Sequence, residues 1–100
     1  MDMNKLMKQA QEMQKQLMRE QKEMANKTFE ATSGGGMVTA KVNGTGTLLG
    51  LTIDPTVVDK ADVEMLQDLV VAAVNEANKQ ASDSARGNMS GMMSQLGIAP

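Results

Sequence analysis

Residues 3–27 hold neither glycine nor proline and are rich in Met, Lys, Gln, Glu and Leu, all good helix formers. Apolar residues return at every seventh position, with Met3, Ala10, Leu17 and Met24 in one row and Leu6 and Met13 in the next. These are the a and d positions of a heptad. The second row then fails at Glu20 and Lys27, so the seam weakens towards its C-terminal half. At a rise of ~1.5 Å per residue, such a helix is about 40 Å long. A compact domain of 100 residues is only about 30 Å wide. Part of the helix must therefore project, or lie against a partner chain.

One domain is the most that this length allows, and its core is thin. Phe29 is the only aromatic residue, and eleven methionines take the place of larger side chains; they are flexible fillers, common at adaptable surfaces. With no cysteine, disulfides cannot stabilise the chain, and homo-oligomerisation is the cheapest alternative. The absence of both Cys and His excludes most zinc, haem and iron–sulfur sites. No metal and no cofactor is expected. The longest apolar run, Leu69 to Val74, is far too short to span a bilayer, and a cytoplasmic protein is expected.

Three alternating stretches follow the helix: Phe29–Thr32, Met37–Val42 and Thr47–Ile53. Their inward sets are expected to be Phe29/Ala31, Val38/Ala40/Val42 and Leu49/Leu51/Ile53. Such a sheet packs one face and wets the other, as antiparallel meanders do. The glycines between the strands, Gly34–Gly36 and Gly44, resemble a phosphate loop only superficially. A P-loop opens a helix and needs Lys-Ser/Thr after its last glycine. Here the glycines separate strands, where positive φ makes hairpin turns, and no small-molecule ligand is expected.

Asp54-Pro55 breaks the third strand, and Asp59 or Asp62 can cap a second helix from about Val63 to Arg86, ended by Gly87. Its apolar face runs Leu66, Leu69, Val70, Ala73, Ala77 and Ala81. The small residues at i, i+4 spacing permit close backbone approach, so Leu66, Leu69, Val70, Ala73 and Ala77 are the expected dimer interface. Residues 1–87 then form one domain, and 88–100 a flexible or marginally helical tail rich in Met, Ser and Gly.

Catalysis has little to stand on. Asp54, Asp59, Asp62, Glu64 and Asp68 cluster in sequence, but helix capping explains carboxylates at a helix start, and no catalytic residue is assigned. The stronger feature is basic. The net charge of −2 divides unevenly, residues 1–27 holding six basic and four acidic side chains and the remainder four and eight. Lys8, Lys15 and Lys22 share heptad position f, opposite the apolar seam, with Lys5 and Arg19 in the neighbouring row. A row of lysines suits a polyanion. It also suits a solvated face with charge pairs such as Lys8–Glu12, Glu12–Lys15 and Arg19–Glu23. Asn4, Gln9, Gln11, Gln14 and Gln16 are candidates for base contacts, although in such a helix these residue types are far more often solvent-facing spacers. The alternative from another class is a protein-interaction module, in which Met3, Met7, Met13, Met18 and Met24 grip partner helices without direct DNA binding.

Three segments together carry a resemblance: "MNKLMKQAQEMQKQL", "GGGMVTAKVNGTGTLLGLTIDP" and "MLQDLVVAAVNEA". Along nearly its full length the chain resembles the YbaB/EbfC family of nucleoid-associated proteins. That resemblance implies an α+β homodimer: a long N-terminal helix, a three-stranded antiparallel meander and a C-terminal helix, with helices projecting like tweezers from a joined β-core. It implies binding of double-stranded DNA in the nucleoid through the projecting helices. Carried over to this chain, the contacts fall on Lys5, Lys8, Lys15, Arg19 and Lys22, with Lys79 and Arg86 on the second helix. The tail after Arg86 carries no further basic residue.

Overall fold

The computed structural model describes residues 2–95. Its elements are α1 (Met3–Asn26), β1 (Thr28–Ser33), β2 (Val38–Asn43), β3 (Leu48–Ile53), a 3-10 turn (Pro55–Val57) and α2 (Val63–Gln95). The expected order of helix, antiparallel meander and helix is the one observed, with strand order β1-β2-β3.

Local chemistry sets the ends of these elements. Asp2 caps α1, accepting a hydrogen bond from the Asn4 N–H at 3.1 Å. Lys27 leaves the helix in an extended conformation, and its N–H closes the last turn onto the Glu23 and Met24 carbonyls. At the start of α2, Asp62 accepts from the Met65 N–H at 3.1 Å, while Asp59 holds the preceding turn through the Ala61 N–H at 2.9 Å. Gly34, Gly35 and Gly36 all have positive φ in the β1–β2 turn, which is their expected role. The β2–β3 turn differs. There the positive φ belongs to Gly46 and not to Gly44.

Gly44 is required for another reason. Its N–H donates to the carbonyls of Met24 at 2.9 Å and Lys27 at 3.1 Å, and a Cβ placed on it would collide with the Met24 carbonyl oxygen. The end of α1 thus docks directly on the turn. Because the obstacle is backbone, Gly44→Ala is expected to cost about 3 kcal/mol, the upper part of the range for overpacking. Gly35→Ala meets no neighbour and should cost about 1 kcal/mol through its left-handed backbone alone. Urea denaturation of both variants checks the ordering.

Most of the core comes from one layer on another. Ala31 of β1 and Val38, Ala40 and Val42 of β2 pack against Ala73, Ala77 and Ala81 of α2, with Val57 closing one end. Ser33 Oγ ties the end of β1 to α2 through a 2.6 Å hydrogen bond to the Leu69 carbonyl. The helix lies across β1 and β2 and leaves β3 largely uncovered. A helix about 10 Å wide covers two strands spaced about 4.8 Å apart, and no more.

The structure refines three sequence expectations. First, the expected inward set Leu49/Leu51/Ile53 is shifted. The register slips between Lys41 and Val42, so that Val42 faces Leu48 and Leu49 becomes the extra residue of a bulge. Secondly, the apolar seam is covered by its own chain only at Met24, the one buried residue of α1, and Met3, Ala10 and Leu17 lie on the part of the helix expected to project or to meet a partner chain. Thirdly, α2 does not stop at Gly87 but continues to Gln95. A mid-helix glycine costs about 1 kcal/mol, and a helix already nucleated on the sheet extends without a second nucleation cost. Residues 96–100 of the expected tail lie outside the described residues.

Candidate nucleic-acid interface

Among the described residues, α1 is buried only at its C-terminal end, where Met24 lies beside Gly44. Its remaining length runs away from the sheet. Past the sheet, α2 runs alongside it, and the two leave a cleft of about 700 Å³ lined by Leu17, Glu20 and Gln21 on one wall and Ala81, Ser82 and Ala85 on the other. Two helical arms therefore leave the same end of the sheet.

Every basic residue assigned from the sequence is exposed: Lys5, Lys8, Lys15, Arg19 and Lys22 on α1, and Lys79 and Arg86 on α2. The charge pairs that a solvated face would use, Lys8–Glu12, Glu12–Lys15 and Arg19–Glu23, are not formed. Among the described residues no Lys or Arg nitrogen lies within 4.0 Å of a carboxylate. The α1 arm thus presents five cations without neutralising partners among the described residues. Such groups are available to phosphate oxygens, which fix a protein's position on DNA without reading its sequence.

The acidic cluster has a structural occupation. Asp54 accepts from the Thr56 N–H at 2.9 Å and from Thr56 Oγ1 at 2.8 Å, capping the 3-10 turn, while Asp59 and Asp62 hold backbone N–H groups as described. Among the described residues no group of carboxylates is arranged to hold a metal ion. The backbone hydrogen bond from Thr56, reinforced by its hydroxyl, lowers the Asp54 carboxyl from its usual 3.8. A lowered folded-state value stabilises the fold above the ordinary carboxylate range, and that contribution is lost as pH falls through the lowered value. The stability advantage of the native chain over Asp54→Ala should accordingly be full at neutral pH and shrink below pH 3.8. Thermal melts at a series of pH values check this.

The residues expected at a dimer contact on α2 are covered by their own chain. Ala73 and Ala77 are 0 % exposed within a single chain, and Leu66, Leu69 and Val70 are half-buried against the same core. The small-residue stripe accommodates the chain's own sheet, which leaves no surface at Ala73 or Ala77 for a partner. What the sequence reading missed is the uncovered edge of the packed face. Leu48, Leu49 and Leu51 on edge strand β3 remain 47 %, 51 % and 38 % exposed. Their apolar character was visible in the sequence; that no helix would reach them was not. Among the described residues no helix is long and apolar enough to cross a membrane.

Comparison with known proteins agrees with this architecture. A crystal structure of an uncharacterized protein from Helicobacter pylori superposes with a TM-score of 0.83 at 27 % identity, covering 93 % of this chain and 98 % of that one. A nucleoid-associated protein of Koribacter versatilis is 54 % identical over 78 residues, 78 % of this chain and 77 % of that protein. One from Rhodococcus erythropolis is 48 % identical over 96 residues, 96 % of this chain and 86 % of its own. The profile of the YbaB/EbfC DNA-binding family matches residues 1–96. With the helix–meander–helix fold and its basic arm already in view, this chain belongs to the YbaB/EbfC DNA-binding family.

Proposed function

We propose that the chain acts as a homodimer on the bacterial nucleoid, in the cytoplasm, binding duplex DNA mainly through phosphates. The observation that carries this reading is the α1 arm, which stands off the sheet with Lys5, Lys8, Lys15, Arg19 and Lys22 exposed and unpaired. Lys79 and Arg86 add to the contacts from the second arm. Family membership and the nucleoid-associated relatives support DNA as the partner. A dimer doubles the arms, and two pairs of arms on one body bend or bridge a duplex. The dimer forms through β3, whose exposed leucines and unpaired edge each protomer covers for the other.

The mechanism is neutralisation of phosphate charge with release of condensed counterions. It predicts steep salt dependence and similar affinity for unrelated sequences. The test is a set of binding isotherms for several unrelated duplexes at several salt concentrations. If the protein binds no duplex at low salt, the proposal fails. The exposed Met3, Met7, Met13 and Met18 would then make the protein-interaction module the better reading.

A further inference from the structure

The β2–β3 turn contains an Asn-Gly pair, Asn43-Gly44, and the structure places both of its reactive groups under restraint. Asn-Gly is the sequence most prone to spontaneous deamidation, because glycine leaves the following backbone nitrogen unshielded. In that reaction the deprotonated Gly44 nitrogen attacks the Asn43 side-chain carbonyl carbon. A new C–N bond closes a five-membered succinimide and ammonia leaves. Water then opens the ring to aspartate or to isoaspartate, in which the main chain runs through the side chain.

Both partners in this attack are held. The nucleophile, the Gly44 N–H, is shared between the carbonyls of Met24 and Lys27 at 2.9 and 3.1 Å, and Gly44 is itself buried. The electrophile is pinned as well. Asn43 Oδ1 accepts from the Thr45 N–H at 3.1 Å, Thr45 Oγ1 at 2.8 Å and the Thr47 N–H at 2.9 Å. For the reaction to start, the Gly44 nitrogen must leave the end of α1 and lose its proton. The two carbonyls that guard it belong to α1 and its C-cap, not to the hairpin.

We propose that Asn43-Gly44 is a self-modification site gated by the docking of α1: closed while α1 sits on the turn, and open when the arm lifts. The aspartate product keeps the three hydrogen bonds at position 43, since a carboxylate accepts them equally well. The isoaspartate product lengthens the main chain by one carbon. That change breaks the pairing of Asn43 with Thr47, where the Asn43 N–H now donates to the Thr47 carbonyl at 2.9 Å, and removes the seat of α1. Conversion to isoaspartate is therefore irreversible release of the arm, whereas conversion to aspartate leaves it docked. The inference stands on the geometry of the turn and does not depend on what the arm binds.

The test follows the peptide containing Asn43 by mass spectrometry during incubation of the intact chain at neutral pH without DNA. Three samples are compared: the native protein, the same protein in urea, and a Met24→Ala variant that loosens the dock. Native deamidation at Asn43 should be at least about tenfold slower than in urea, as expected of a reaction that requires local opening. Met24→Ala, verified as folded by circular dichroism, should recover much of that rate. Hydrogen exchange at the Gly44 amide in the unmodified protein gives a reading that needs no variant. Its protection should match the retardation of deamidation within about a factor of ten. Equal rates in native and urea samples would overturn the proposal. So would a folded Met24→Ala variant that reacts no faster than the native protein, or a Gly44 amide that exchanges freely.

Discussion

Replacing Lys8, Lys15 and Lys22 with alanine is expected to remove a large share of the salt dependence of DNA binding while leaving the fold intact. If each lysine meets one phosphate in both protomers, the dimer makes about six such contacts. At −0.9 per neutralised phosphate, they contribute roughly −5 to the slope of log K against log salt. Over the fourfold change from 50 to 200 mM salt, that share corresponds to about three orders of magnitude in affinity. Lys15→Ala alone, in both chains, should flatten the slope by about two units. The loss should be similar for unrelated duplexes, because phosphate contacts position a protein without reading bases. The fold should survive, since all three side chains are exposed. Isotherms at several salt concentrations, with circular dichroism as the folding control, make the measurement. A folded triple variant with wild-type affinity and slope would reduce the ridge to a solvated face and move the contacts to α2 or the sheet.

The second large effect concerns β3. Changing Leu49 and Leu51 together to glutamate is expected to dissociate the dimer into folded monomers. Each leucine is already partly covered within its own chain, so dimer burial adds about 1 kcal/mol per side chain. Four side chains across a two-fold interface then amount to about 4 kcal/mol, roughly three decades in the dimer Kd. A charge on each edge opposes pairing further. Sedimentation at micromolar concentration is the readout. The contrasting variant is Ala77→Lys, which should unfold the chain instead of separating folded protomers, because Ala77 is fully buried between α2 and its own sheet. A double glutamate variant that remains dimeric rules out β3 as the interface. A native protein that sediments as a well-folded monomer at the same concentration removes the dimer altogether.

Local pattern carried the outline of the molecule. The heptad rows and the absence of glycine and proline in residues 3–27 specify a helix too long for its own domain, and α1 does project. Alternation in residues 28–53, punctuated by Gly34–Gly36, specifies a meander, because a glycine turn and a period of two are properties of neighbours in sequence. The basic row Lys8, Lys15 and Lys22 was legible for the same reason: seven residues return to nearly the same side of a helix whatever lies around it.

Tertiary structure alone decided which apolar groups are covered. Ala73 and Ala77 look like a dimer stripe in sequence, yet α2 spends them on β1 and β2, while Leu48, Leu49 and Leu51 stay open. One helix is about as wide as two strands, and no window of sequence states which two it will choose. Gly44 makes the same point at atomic scale. In sequence it is one more turn glycine; in the fold it is the spot where the Met24 carbonyl approaches too closely for any side chain. Periodicity is written within a few residues, whereas coverage is set by the widths and crossings of elements that meet only after folding.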